Sequence, residues 1–183
     1  MNYFESLTDA MAECAKHPKS VFIGQGVSYA GTSQTDTLSG VPSEKLLEFP
    51  VAEDLQMGFA IGLALDGWLP ICIFPRWNFL LCAANQLINH LDRIPLYSAG
   101  KCKPKIIIRT CAPSTEPFDP GPQHNDDFSE PFRRMFRTIA VSRLFHTWDI
   151  KLGYKQAMES EGSTLLVEYA SEYKTRTPSG VMP

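Results

Sequence analysis

The sequence predicts an α/β domain of three layers, α/β/α, around a mainly parallel six-stranded sheet. Two observations carry that expectation. Short apolar runs such as Leu69-Pro70-Ile71-Cys72-Ile73-Phe74 and Lys105-Ile106-Ile107-Ile108-Arg109 have the unbroken oiliness of strands covered on both faces. Segments with helical spacing separate these runs, and strands that alternate with helices build parallel sheets.

Taken in order, Phe4, Leu7, Met11 and Cys14 recur at helical spacing among Glu5, Asp9, Glu13 and Lys16, so residues 3–16 form an amphipathic helix that His17-Pro18 ends. Ser20-Val21-Phe22-Ile23 is a short strand closed by Gly24-Gln25-Gly26. Glycines there permit positive φ or the close approach of a ligand, although a plain strand-end turn needs them equally. Residues 27–45 are rich in Ser, Thr and Gly without apolar periodicity and read as a long loop. Leu46 to Phe49 makes the second strand.

Pro50-Val51-Ala52-Glu53 then leads into an apolar helix, Met57 to Leu65, which Asp66-Gly67 terminates. Such a helix needs cover on most faces. Its glycines cost about 1 kcal/mol each in helix propensity and are expected to permit close packing against a strand or another chain. Glu53 lies among oily neighbours at the helix mouth, where a carboxylate serves either the helix dipole or chemistry. The strand Leu69–Phe74 follows, then a helix expected from Asn78 through His90 and the buried strand at Lys105–Arg109. A loop from Thr110 to Asp127 carries four prolines and the sequence Gly121-Pro122-Gln123-His124. A short helix at Ser129–Arg137, a strand at Ile139–Val141, a helix at Thr147–Ser160 and a last strand at Leu165–Tyr169 complete the pattern. The expected organisation is one domain, residues 1–170, and a polar tail, 171–183, that is poorly ordered or docks elsewhere.

Composition excludes some functions. A net charge of -3 with no Lys/Arg block argues against a phosphate-tracking nucleic-acid face. No apolar stretch is long and uncharged enough to span a bilayer, and the first residues lack the pattern of a signal peptide. Five scattered cysteines, with no CxxC pair, fit reduced thiols and a cytoplasmic setting. In a parallel sheet the ligand crevice lies beyond the carboxyl ends of the strands. Gly24-Gln25-Gly26, Glu53 and the His124 loop all fall at that end.

These pieces, in this order, resemble the pyrimidine-binding domain of the transketolase-like thiamine diphosphate enzymes. The similarity is greatest to the beta subunit of the 2-oxoacid dehydrogenase first component. Pro50-Val51-Ala52-Glu53 and Gly58-Phe59-Ala60 match its acid-bearing strand end and glycine-rich helix. Gly67-Trp68-Leu69-Pro70-Ile71, Asn78-Phe79 and Gln86-Leu87-Ile88-Asn89 follow in register. Tyr97-Ser98-Ala99-Gly100, Ile108-Arg109 and an intact Gly121 to His124 extend the match over roughly residues 20–170.

The resemblance implies roles for particular residues. Glu53 would be the acid that hydrogen-bonds nitrogen 1′ of the cofactor's aminopyrimidine, Phe79 would stack on that ring, and His124 would face the substrate. Asn78, Gln25, Cys82 and Tyr97 are lesser candidates for lining the pocket. A carboxyl that donates to nitrogen 1′ favours the imino tautomer, whose 4′ nitrogen removes the thiazolium proton. Apolar neighbours of Glu53 favour that neutral acid by desolvation. Without the resemblance, Phe79 would read as core and His124 as a solvent-facing loop residue.

Two departures qualify the match. Ile73 stands where the family commonly has an acid, which puts an acidic relay between paired sites in doubt. Cys82 stands where a glutamine often follows the stacking ring; it makes the pocket smaller and less polar, and reads as a packing thiol rather than a nucleophile.

The Gly-Asp-Gly motif that holds the diphosphate through Mg²⁺ is missing, and the sequence stops where the beta subunit's C-terminal domain would begin. The expectation is therefore one subunit of a split thiamine diphosphate enzyme, an oxidoreductase, lyase or transferase acting on a 2-oxoacid or a ketose. It would be inactive alone, with diphosphate and Mg²⁺ held by a partner chain in a hetero-oligomer. The competing expectation is a non-catalytic scaffold or regulatory subunit that keeps the fold. A flavodoxin-like nucleotide binder is disfavoured because the turn after the first strand offers too few phosphate-cradling groups.

Overall fold

The computed structural model describes residues 1–29, 32–114 and 119–174. Helix α1 (Tyr3–Ala15) opens on a capping box in which the Asn2 side chain accepts from the Glu5 amide and the Glu5 carboxylate accepts from the Asn2 amide. Strand β1 (Ser20–Gly24) follows. The stretch expected as loop contains a four-residue helix, α2 (Ser33–Asp36), whose first turn is capped by Thr32, and a 3₁₀ turn at Ser43–Lys45. Then come β2 (Leu46–Glu48), α3 (Glu53–Leu65), β3 (Leu69–Phe74) and α4 (Trp77–Cys82). A π-helical turn at Gln86–Leu91, the short α5 (Ile94–Tyr97), β4 (Ile107–Ala112) and a 3₁₀ turn at Pro122–His124 lead to α6 (Ser129–Met135). The chain continues through β5 (Ala140–Leu144), α7 (Thr147–Glu159) and β6 (Thr164–Tyr169) to a 3₁₀ turn at Ala170–Lys174.

All six strands are parallel, in the order β2-β1-β3-β4-β6-β5. From β1 the chain crosses outward to β2 and then returns to place β3 on the other side of β1, so the strand order reverses between β1 and β3. A crevice opens beyond the carboxyl ends of the strands at such a point.

Strand pleating separates two cores. Phe22, Ile71, Ile73, Ile107 and Leu166 face the layer of α1 and α7, where Leu7, Met11, Ile150 and Tyr154 cover them. Ile23, Cys72, Phe74, Ile108 and Leu165 face the opposite layer, against Met57, Ala60, Trp77, Leu80 and Phe132. The three-layer arrangement is thus written in the alternation of neighbouring strand residues.

The helix expected over Asn78–His90 is broken. α4 ends at Cys82, and after Asn85 the chain widens into a π turn closed by the Asp92 amide on the Leu87 carbonyl. Gln86 supplies a physical reason: its side chain lies across Gly58 and donates to Asp54 at 3.1 Å, which draws this turn toward α3. A second difference lies on α3 itself. Its Leu55 (59%), Phe59 (43%) and Gly62 remain exposed along one face, with Leu65 beside them, so this chain leaves uncovered part of a helix that sequence alone would bury.

The α1 side of the sheet holds a buried ion pair. Arg109 on β4 grips Glu168 on β6 through two hydrogen bonds, Nε to Oε1 at 2.6 Å and Nη2 to Oε2 at 3.0 Å, and both side chains are fully buried. Tyr154 and Tyr173 donate to the same carboxylate at 3.0 and 2.6 Å, and Arg109 also reaches Thr37 at 3.1 Å. Tyr173 belongs to the turn after β6 and stacks on Tyr3, so the start of the expected tail docks on α1. Residues 175–183 of that tail lie outside the described residues.

Candidate functional site

The carboxyl ends of β1 and β3 lie side by side, with Gly24 in register with Ile73. Gln25 follows β1 directly, and α4 begins three residues after β3. Gly24 is required by packing: a Cβ there would lie 2.8 Å from the Ile73 carbonyl oxygen. Without a side chain at this point, β1 runs close to β3 and delivers Gln25 to the crevice.

Glu53 is the first residue of α3 and is 8% exposed. Gln25 Nε2 donates to its Oε1 at 3.0 Å. One carboxyl oxygen is therefore held and the other has no hydrogen-bond partner among the described residues.

Glu48, which the sequence reading did not single out, fixes the turn that carries Gln25. Its carboxylate accepts from three consecutive amides: Gly26 at 2.6 Å, Val27 at 2.9 Å and Ser28 at 2.8 Å. The positive φ of Gly26, 67°, points these N–H groups inward as a nest. Gln56, one turn into α3, is fully buried and donates to the carbonyls of Ile23 and Ile73 at 3.3 and 3.2 Å. It thereby ties α3 to the ends of both strands. The only sequence signals for these residues were an acid at a strand end beside a glycine turn, and a glutamine on an apolar helix.

A second group forms where α4 meets the loop after β4. His124 Nδ1 lies 2.8 Å from Asn78 Oδ1, and the rings of Phe79 and His124 are 5.7 Å apart, tilted by 47°. Asn78, Phe79 and His124 are each half-buried. Two stretches named separately in the sequence, Asn78-Phe79 and the loop that carries His124, are thus brought together. Cys82 lies one turn along α4, exposed, with its thiol donating weakly to the Asn78 carbonyl at 3.7 Å. Tyr97 is 80% exposed on α5 and joins neither group. Ile73, at the position where the resembled family commonly has an acid, is buried in the core facing α1.

Both groups lie beyond the carboxyl ends of the strands, one at the end of β1 and the start of α3, the other at the start of α4 and in the loop after β4. Together they offer a held carboxyl, an aromatic face and an imidazole with an amide on one nitrogen. No group of three or more His, Cys, Asp and Glu side chains suited to a metal ion occurs among the described residues.

No family model matches the chain. Curated relatives do. The chain is 36% identical over 110 residues, 58% of its length and 34% of the relative's, to a pyruvate dehydrogenase E1 component subunit beta from Gracilaria tenuistipitata var. liui. It is 31% identical over 133 residues, 70% of its length and 36% of the relative's, to the mitochondrial subunit beta of Saccharomyces cerevisiae. A chloroplastic subunit beta-3 of Oryza sativa subsp. japonica matches over 179 residues, 94% of this chain and 44% of that one, at 27% identity. By sequence the chain is homologous to part of the pyruvate dehydrogenase E1 beta subunits.

Solved structures show the same fold. A split-gene transketolase, described as an inactive beta4 tetramer, superposes over all of this chain and 56% of its own, with a TM-score of 0.72 at 18% identity. A transketolase from Campylobacter jejuni superposes over 91% of this chain and 25% of its own, with a TM-score of 0.69 at 14% identity. The chain spans about a third to a half of the length of the curated relatives it matches. Among its described residues no helix is long and apolar enough to cross a membrane.

Proposed function

We propose that this chain is the pyrimidine-binding subunit of a split thiamine diphosphate-dependent enzyme and activates the cofactor through Glu53. One observation carries the reading: Glu53 is buried, its Oε1 is held by Gln25, and Oε2 is unengaged at the reversal point of the sheet. The helix dipole is served by the exposed neighbour Asp54, so it does not by itself account for an acid buried at Glu53.

The residues present fit one end of the cofactor. Glu53 would hold nitrogen 1′ of the aminopyrimidine through Oε2, Phe79 would offer its ring face, and Asn78, Gln25 and Cys82 would border the pocket. When bound, thiamine diphosphate supplies the carbon nucleophile that makes or breaks a bond next to a carbonyl. Glu53 would present Oε2 to the ring nitrogen while Gln25 occupies Oε1. His124 meets the substrate, a 2-oxoacid or a ketose, and exchanges a proton with it.

The diphosphate and Mg²⁺ are assigned to a partner chain, because the sequence has no Gly-Asp-Gly motif. The exposed apolar strip of Leu55, Phe59 and Gly62 on α3 supports a protein partner on this side. The enzyme would be a hetero-oligomer, an oxidoreductase, lyase or transferase, without activity from this chain alone. A cytoplasmic setting belongs to the same proposal and is supported by five unpaired thiols. The alternative, a non-catalytic scaffold that keeps the fold, draws support from Ile73 and from the exposed Cys82.

Calorimetric titration of thiamine diphosphate and Mg²⁺ into this chain mixed with a partner that carries a Gly-Asp-Gly motif tests the proposal. Saturable binding that needs both chains and is weakened in Glu53→Ala is expected. Association of the chains without cofactor binding would instead support the scaffold.

A further inference from the structure

The bond between Asn78 and His124 decides which nitrogen of the imidazole does chemistry. In a neutral histidine one ring nitrogen carries the proton and the other a lone pair. The atom of Asn78 that faces Nδ1, at 2.8 Å, is the amide oxygen. That oxygen has no proton to give, so the proton of this hydrogen bond belongs to Nδ1.

We propose that Asn78 is a positioning residue that fixes His124 in its Nδ1–H tautomer, so that Nε2 is the proton-accepting atom of the site. Three features hold the arrangement. Asn78 is carried on α4, whose residues Trp77 and Leu80 are buried in the core, so its backbone is anchored. The Phe79 ring lies against the imidazole and restricts its rotation. Pro122 starts the 3₁₀ turn that ends at His124, and the His124 amide closes that turn on the Gly121 carbonyl at 3.0 Å. Among the described residues no hydrogen bond reaches Nε2.

The chemical consequence rests on the functional reading above. A neutral Nε2 with a lone pair pairs with a proton donor and repels a bare carboxylate. The substrate group that meets His124 is then a hydroxyl or a thiol, whose proton Nε2 takes and returns, and not the carboxylate of a 2-oxoacid. In an unfixed imidazole the Nε2–H tautomer would present a donor at the same place. Asn78 therefore selects between opposite hydrogen-bonding characters without touching the substrate.

Long-range ¹⁵N–¹H correlation NMR on chain labelled at histidine reads the tautomer directly. Spectra are recorded at a pH where the imidazoles are neutral, and His124 is assigned by its loss in His124→Gln. The Nδ1–H form should exceed the Nε2–H form by about tenfold, the population ratio one hydrogen bond can supply. Asn78→Leu should erase most of that excess, while Asn78→Asp, which keeps an oxygen acceptor, should retain it. An Nε2–H tautomer in the wild-type chain, or a tautomer unmoved by Asn78→Leu in a variant with a native amide spectrum, would overturn the proposal. The readout needs neither cofactor nor partner. Failure to bind thiamine diphosphate would sink the functional reading and leave this result standing, and the converse also holds.

Discussion

Gln25 donates from its amide nitrogen to Oε1 of Glu53 across 3.0 Å, joining residues 28 apart in sequence at the ends of neighbouring elements. This bond sets the two oxygens of Glu53 apart: Oε1 accepts from Gln25, and no hydrogen bond reaches Oε2 among the described residues. Gln25→Ala should leave the fold intact and weaken thiamine diphosphate binding by the assembled enzyme by about 5- to 30-fold, the worth of one hydrogen bond to an ionisable group. Isothermal titration of wild type and variant with the same partner chain checks it; equal affinities would remove Gln25 from the site.

Glu48 holds the turn in which Gln25 sits. Its replacement by Gln puts a neutral amide, half of it a donor, where three backbone N–H groups converge. Glu48→Gln should lower the unfolding free energy by about 1–3 kcal/mol. Hydrogen exchange at Gly26, Val27 and Ser28 should accelerate more than exchange in β3. Uniform acceleration across the sheet would mean that the clamp is not local.

The buried Arg109–Glu168 pair predicts both a mutational and a pH response. Arg109→Met leaves Glu168 buried without its cation and should destabilise the chain by about 3–5 kcal/mol, whereas Tyr173→Phe should cost about 1–2 kcal/mol. Burial, with the nearby Glu168 carboxylate, pushes the hydroxyls of Tyr154 and Tyr173 well above 10. Their folded values are raised, so the native state keeps protons that the unfolded chain gives up above about pH 10. Stability is then fully present below pH 10 and falls as pH rises further, by about 1.4 kcal/mol per pH unit for each such group. Urea unfolding between pH 8 and pH 11 should show that loss, and a flat profile would contradict the buried hydroxyls.

Thiol reactivity should divide the five cysteines. Burial pushes Cys14 and Cys111 up to about 12 and raises Cys72 as well. Thiolate is the reactive form, so these three should resist iodoacetamide at pH 8 in the native state. Cys82 is exposed and Cys102 half-buried, so modification should begin at Cys82, as peptide mass mapping would show. Rapid labelling of Cys72 would contradict the packing of β3 between two layers.

The sheet was legible because its strands are local patterns. The runs at Leu69–Phe74 and Ile106–Ile108 bury every side chain, so continuous hydrophobicity was sufficient to find them. The roles proposed for Glu53, Phe79 and His124 rest on an ordered family pattern, since an acid at a helix start or an aromatic on α4 has an ordinary structural explanation. The π turn at Gln86–Leu91 was not legible. Its accompanying feature is a contact between Gln86 and Gly58 on another helix, which no local propensity encodes. Glu48 escaped for the same reason, because its partners lie 20–22 residues away. Arg109 and Glu168 did leave a trace: each is a lone charge inside an apolar strand, and the two charges are opposite in sign. Pairing them required the strand order.

The central claim is that Glu53 activates a bound cofactor. Its most direct test is the exchange rate of the thiazolium C2 proton of thiamine diphosphate bound to the assembled enzyme, compared between wild type and Glu53→Gln with the cofactor saturating in both. Glu53→Gln should slow that exchange by about 10²- to 10⁴-fold, the usual range for loss of a positioned acid–base group. Exchange at the wild-type rate, with the cofactor bound in the variant, would contradict the role assigned to Glu53.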